Sequence, residues 1–133
     1  MTLVRHADRR RTETPIAVMT TLASPTQGGA GTAVWHVDMP AGRQGPRHAF
    51  ETEQIWCFLD GGATVVLGGE TLEVTAGDTL VMPADVPRQV TTAPGTGFTA
   101  VVTAPAGSRV YDADSDCDIA PEDGERLVPP WVR

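Results

Sequence analysis

The sequence predicts a single all-β domain of the sandwich or barrel class, and three observations carry that prediction. Short apolar or alternating runs succeed one another from Ile16 to Ala104. Each is closed by turn residues, drawn from 14 glycines and 11 prolines in a chain of 133 residues. No stretch sustains the apolar period of a long amphipathic helix. A chain of this length forms one domain and buries a sizeable core without disulfide or metal staples.

Taken in order, residues 1 to 14 are polar and rich in arginine (Arg5, Arg9, Arg10, Arg11), which predicts a loosely held arm. The run from Ile16 to Ala23 is strand-like, and Ser24 to Gly31 supplies its turn. Thr32 to Met39 alternates, with Trp35, Val37 and Met39 on one face and His36 and Asp38 on the other, where a solvated pair is expected. A Gly- and Pro-rich connection follows and leads to His48 on a short extended piece. Gln54 to Asp60 is apolar on both faces, as in a strand of a barrel whose interior is filled, and it is expected to stop at Gly61-Gly62. Strands at Ala63 to Leu67, Thr71 to Thr75, Thr79 to Pro83, Arg88 to Thr92 and Phe98 to Ala104 complete the series.

Beyond Gly107 the pattern decays into an acidic tail, residues 112 to 133. Asp112, Asp114, Asp116 and Asp118 imitate the start of a calcium loop, but Cys117 stands at the loop glycine and Asp123 at the final glutamate. A solvated tail is the better expectation. Its ending, Val128-Pro-Pro-Trp-Val-Arg133, is rigid and apolar enough to dock on the barrel end or on a second subunit.

The formal charge of -7 speaks against nucleic acid and against an anionic membrane surface. With no apolar run long enough to span a bilayer and no signal-peptide core at the N-terminus, the chain is expected to be soluble and cytoplasmic. Every basic residue is arginine, a bias that fits a GC-rich genome such as an actinobacterial one. Cys57 and Cys117 lack the spacing of a zinc clip or a disulfide framework.

Two segments carry a more specific pattern. In the first, Gly42 is followed after five residues by His48, then by Phe50, Gln54 and Gly61; in the second, Gly77 is followed after five residues by Pro83, then by Asp85 and Arg88. The spacing resembles the paired signature of the cupin family over about residues 30 to 105, which implies a jelly-roll β-barrel. The match holds at Gly42, Gly61, Gly77 and Pro83 and departs at Asp85, where the family has glycine, and at the chemical positions. Where the family places its three metal-binding histidines and one glutamate, this chain has His48, Phe50, Gln54 and Arg88.

A divalent cation needs neutral or deprotonated donors. Phe50 offers none, Gln54 is weak, and Arg88 carries a permanent positive charge. No cofactor is therefore expected; the alternative, iron, manganese, nickel or zinc on His48 and Gln54, would need recruitment of His36 or Glu51.

The resemblance directs His48, Phe50, Gln54 and Arg88 into the barrel, with Trp56 and Phe58 on the same strand face as Gln54. The expected catalytic group is His48 as acid or base, Arg88 as a bidentate clamp on a carboxylate, enolate or phenolate, and Gln54 orienting a carbonyl. Phe50, Trp56, Phe58 and Met82 are the expected substrate-binding residues. The function expected is cyclisation, isomerisation or dehydration of an aromatic or polyketide-like molecule without metal, of a kind that suits bacterial secondary metabolism. A ligand-holding protein and a metal-dependent oxygenase or isomerase are the alternatives. Cupins commonly pair through sheet edges, so a homodimer is expected.

Overall fold

The structure, a computed structural model, describes residues 1–113 and 126–133. The aspartates from Asp114 onward in the calcium-like run, and Cys117, lie outside the described residues.

Two curled antiparallel sheets share one long strand. In the first, β1 (Arg10–Glu13), β2 (Val18–Ala23), β3 (Thr32–Met39), β9 (Phe98–Pro105), the first half of β5 (Gln54–Leu67) and β7 (Thr79–Met82) lie side by side in that order. In the second, β6 (Glu70–Thr75), the second half of β5, β8 (Arg88–Thr92), β4 (His48–Phe50) and β10 (Val110–Asp112) do the same. The only helical turn among the described residues is a 3-10 turn at His6–Asp8. The architecture is the all-β jelly-roll arrangement that the strand pattern predicts.

Alternation decides which side chains enter the core. Trp35, Val37 and Met39 of β3 are buried and stand beside Ala100 and Val102 of β9, while Asp38 is exposed. The rings of Phe58 and Phe98 meet at 5.4 Å with a tilt of 60°, and Trp56 lies 6.3 Å from Phe98. These contacts tie β5 to β9 across the sheet.

Two local expectations are corrected. β5 does not stop at the double glycine; it runs on for 14 residues and bends there from one sheet into the other. Gly61 has φ 74, and a Cβ at that position would sit 1.8 Å from the carbonyl oxygen of Gly97. The glycine therefore permits a close backbone crossing at the corner of the barrel rather than ending a strand. The register shifts between Phe58 and Asp60, a bulge that supplies the turning angle.

The N-terminal arm is not loose throughout. Arg10–Glu13 pairs along its full length with Val18–Thr21, and the Arg10 amide donates to the Gln27 side-chain oxygen at 2.9 Å. Its polar side chains hid a strand whose stability comes from main-chain pairing.

At the other end the Val128–Arg133 segment docks against this chain's own barrel. Thr21 Oγ1 donates to the Trp131 carbonyl at 2.8 Å, Ser24 Oγ donates to the Arg133 carbonyl at 2.7 Å, and Val132 is fully buried.

Candidate functional site

A cavity of about 280 Å³ lies between the two sheets, a little below the roughly 300–1,000 Å³ usual for small-molecule sites. Its walls are largely apolar. Trp35, Val37 and Met39 project into it from β3, and Val90 projects from β8. Thr14, Ile16 and Ala17 come from the segment between β1 and β2, and Trp131 from the docked C-terminal segment.

His48, Phe50, Gln54, Trp56 and Arg88 all line this cavity, so the residues at the degenerate motif positions are brought together. Phe58 and Met82 are not among its lining residues. Phe58 stacks against Trp56 at 6.0 Å on the core side, and the Met82 sulfur lies 3.6 Å from Arg88 Nη1. They support the wall rather than form it. Trp35, with its strand neighbours, was recognisable from alternation as an inward face but not as a cavity wall. Trp131 carried a signal of docking and none of where it would dock.

The position of His48 follows from β4, whose three residues pair with β10 and whose first residue also pairs with β8. His48 stands opposite Arg88 on one side and Asp112 on the other. Its ring meets Phe50 edge-on at 5.4 Å. Burial, then the nearby Arg88 charge, push its pKa down from 6.5 to about 4, against a smaller opposing pull from Asp112. At neutral pH the imidazole is uncharged.

Arg88 is the most unusual group in the wall, a guanidinium that is 1% exposed. Nε donates to the Val86 carbonyl at 3.2 Å; Nη2 donates to Val86 at 3.1 Å and to Pro83 at 2.9 Å. Nη1 donates to Gln54 Oε1 at 3.2 Å and to the Met82 sulfur at 3.6 Å. A guanidinium has five N–H groups, and each has an acceptor within the protein. The expected bidentate clamp on a substrate anion is therefore corrected: the charge faces the cavity, but the donors that would grip a carboxylate are taken. Burial lowers the Arg88 pKa to about 10, so the group remains a cation at neutral pH. Its carbon also lies 5.7 Å from the centre of the Phe50 ring, within cation–π reach.

Gln54 sits between these groups, fully buried. Its Oε1 accepts from the Trp56 indole N–H at 3.0 Å as well as from Arg88. Two donors converging on one atom require that atom to be the oxygen, which fixes the amide orientation. Its Nε2 is buried and has no acceptor among the described residues.

This donor set does not suit the metal that cupins commonly hold. The Gln54 oxygen is committed to two donors, one of them cationic, and Phe50 presents a ring. Glu51, the acid that would have to be recruited, is held by Arg109 and Arg126 at 2.8 Å each, and those hydrogen bonds keep its pKa below the usual carboxylate range. His36 is on the opposite face of β3 from Trp35 and Val37. Among the described residues no group of three or more His, Cys, Asp or Glu side chains is placed to share an ion. Among the described residues no helix is long and apolar enough to cross a membrane.

Known structures of related shape include the polyketide cyclase RemF from Streptomyces resistomycificus. It is 24% identical, has a TM-score of 0.72, and is matched over 85% of this chain and 85% of its own. The DMSP lyase DddQ from Ruegeria pomeroyi DSS-3 is 23% identical with a TM-score of 0.65, over 74% of this chain and 57% of its own. KdgF from a Halomonas species is 18% identical with a TM-score of 0.64, over 78% of this chain and 94% of its own. At these identities the likeness is one of fold. No curated protein sequence matches the chain. The family model described as a cupin domain matches residues 35–104, more than half of the sequence and the strands that carry His48, Gln54 and Arg88, and the chain accordingly belongs to the cupin family.

Proposed function

We propose that this cupin is a small-molecule enzyme that moves protons on an aromatic or polyketide-like substrate without a metal, in a cyclisation, isomerisation or dehydration. The observation that carries the reading is His48: a neutral imidazole in an apolar cavity, beside a buried cation. A neutral ring can accept a proton from a carbon next to a carbonyl. The C–H electron pair then forms the enolate double bond, the carbonyl pair moves onto oxygen, and the proton resides on the imidazole until it is returned at another carbon or to a leaving hydroxyl. Arg88 opposes the imidazolium alone but stabilises the imidazolium–enolate pair, because its field favours the anion. Trp35, Trp56 and Phe50 line the cavity with apolar rings that suit a planar molecule and exclude water. RemF is named a polyketide cyclase, which makes that substrate class the first to screen.

The test is turnover of enolisable aromatic ketones and short poly-β-ketones by wild type and His48→Ala. Loss of at least about a hundredfold in kcat, within the range for general acid–base groups, supports the reading; wild-type rates in both His48→Ala and Arg88→Ala overturn it. Stoichiometric iron, manganese, nickel or zinc in protein purified without chelators would also overturn it. A second reading, a protein that holds its ligand unchanged, is favoured by one observation: Arg88 has no N–H left to follow a moving charge. Tight binding with no turnover of any ligand selects that reading.

We also propose a homodimer. β7 pairs on one side, with β5, and carries the half-exposed Val81. An edge of this kind invites cover. A monomeric mass in light scattering at micromolar concentration would refute it.

A further inference from the structure

Gln54 and Arg88 together suggest which substrate oxygen the cavity accepts. We infer that the site recognises a neutral carbonyl oxygen through the Gln54 amide N–H₂, with Arg88 acting as a positioning and polarising residue behind it, and that it discriminates against carboxylates. This inference rests on the proposed small-molecule site, but not on turnover.

Three observations support it. First, Gln54 Nε2 is a buried donor without an acceptor among the described residues, in a side chain of the cavity wall that is 0% exposed, so a ligand oxygen reaches it by displacing the wall atoms that now cover it. A buried donor left unpaired is costly, and the cost is removed when a ligand supplies an acceptor. Second, the amide cannot flip to relieve itself. Turning it over would place N–H₂ against the Trp56 indole N–H and the Arg88 N–H, which now bond to Oε1 at 3.0 and 3.2 Å. Third, a cationic donor on Oε1 draws electron density through the conjugated amide toward the oxygen. The Nε2 hydrogens thereby become stronger donors, as in other chained hydrogen bonds.

The same arrangement excludes a carboxylate. An anion entering an apolar cavity needs charge-assisted donors to replace its hydration. Arg88, whose field would attract it, has its N–H groups bound to Pro83, Val86, Gln54 and Met82. A ketone sheds less hydration and needs one good donor, which is what Gln54 offers. An enolate formed from that ketone would keep the same bond and gain the Arg88 field.

The experiment compares three bicyclic probes of similar shape by tryptophan fluorescence and calorimetry: 1-tetralone, tetralin and 1-naphthoate. The expected result for wild type is that tetralone binds roughly 10- to 100-fold more tightly than tetralin, the worth of one hydrogen bond to a strongly polarised donor. Naphthoate is expected to bind at least about tenfold more weakly than tetralone. In Gln54→Leu, which keeps the volume, the tetralone preference should collapse to within about twofold.

Equal binding of tetralone and tetralin by wild type, tightest binding of naphthoate, or a preference that survives in Gln54→Leu overturns the inference. Should the variant fail to fold, the carbonyl stretch of ¹³C-labelled tetralone bound to wild type decides. It should fall below its value in hexane, and an unshifted band overturns the inference. A protein that shows the ketone preference yet turns nothing over refutes the proposed enzyme while leaving this recognition intact.

Discussion

Acidification should destabilise this protein through the proton that the unfolded chain takes up at His48, and the size of the effect follows from the surroundings of the ring. In the unfolded chain the imidazole titrates near 6.5, in the fold at about 4. Because the folded value is the lower one, the unfolded state binds the proton first as pH falls, so stability declines between the two values and levels off below the folded one. The slope in that window approaches about 1.4 kcal/mol per pH unit and the total comes to about 3 kcal/mol, a large share of the roughly 5–15 kcal/mol of a typical domain. Urea titrations of wild type and His48→Gln at steps from pH 7.5 to 4 isolate the contribution. Carboxylates titrate in both proteins and cancel in the difference. The wild type should lose about 3 kcal/mol more than the variant. In parallel, the His48 ring proton, identified by its disappearance in the variant, should titrate near pH 4. Parallel stability curves, or a midpoint at or above 6, would refute the claim that burial and Arg88 hold this ring neutral.

Three further outcomes follow from the packing. Gly61→Ala should cost at least about 2 kcal/mol in thermal or urea unfolding, because the new methyl meets the Gly97 carbonyl at 1.8 Å; an unchanged melting temperature would contradict the close crossing at the corner. Asp85 holds φ 59 where the motif usually has glycine, and it accepts a hydrogen bond from the Tyr111 hydroxyl at 2.8 Å. Asp85→Gly should be within about 1 kcal/mol of wild type, since relief of the left-handed backbone offsets the lost bond, whereas Asp85→Val should be destabilised by more than about 2 kcal/mol, as unfolding curves of the pair will show. Arg88→Met should lose about 1 kcal/mol in the same assay, because the half-buried Val86 carbonyl loses the donors it takes from Arg88 and Gln54 Oε1 keeps only the Trp56 N–H, a loss offset in part by removal of a buried charge; a loss above about 3 kcal/mol would contradict that balance.

Much of the barrel was legible because alternation and turn chemistry are local. Trp35, Val37 and Met39 sort to one face by the geometry of a strand, and Gly77 with Pro83 marks a turn in any register. The errors lie where one segment is decided by a distant one. Gly61 reads as a strand end until the Gly97 backbone is brought against it. Arg10–Glu13 reads as an arm because its pairing with β2 uses main-chain groups that every sequence possesses. At the site, the grouping of His48, Phe50, Gln54, Trp56 and Arg88 was legible from spacing and family resemblance. The saturation of Arg88 was not, since Pro83 and Val86 contribute carbonyls that leave no mark in side-chain chemistry. Phe58 was drawn to the cavity by period alone and Met82 was named with it, and packing placed both behind the wall.

The strand common to both sheets also bears on how fast a ligand can come and go. Because β5 runs unbroken through the corner, pairing with β7 and β9 in one sheet and with β6 and β8 in the other, the two sheets are joined there by the chain itself and the back wall is held at that corner. Passage is left to the segments carrying Thr14, Ile16 and Trp131, which are tethered by isolated bonds such as that from Thr21 to the Trp131 carbonyl. Residues that govern residence and residues that govern access are thus in different parts of the sequence. Thr21→Val, which removes the bond to the Trp131 carbonyl without altering a residue of the cavity wall, should move the association and dissociation rates together, while changes at Gln54 act mainly on dissociation.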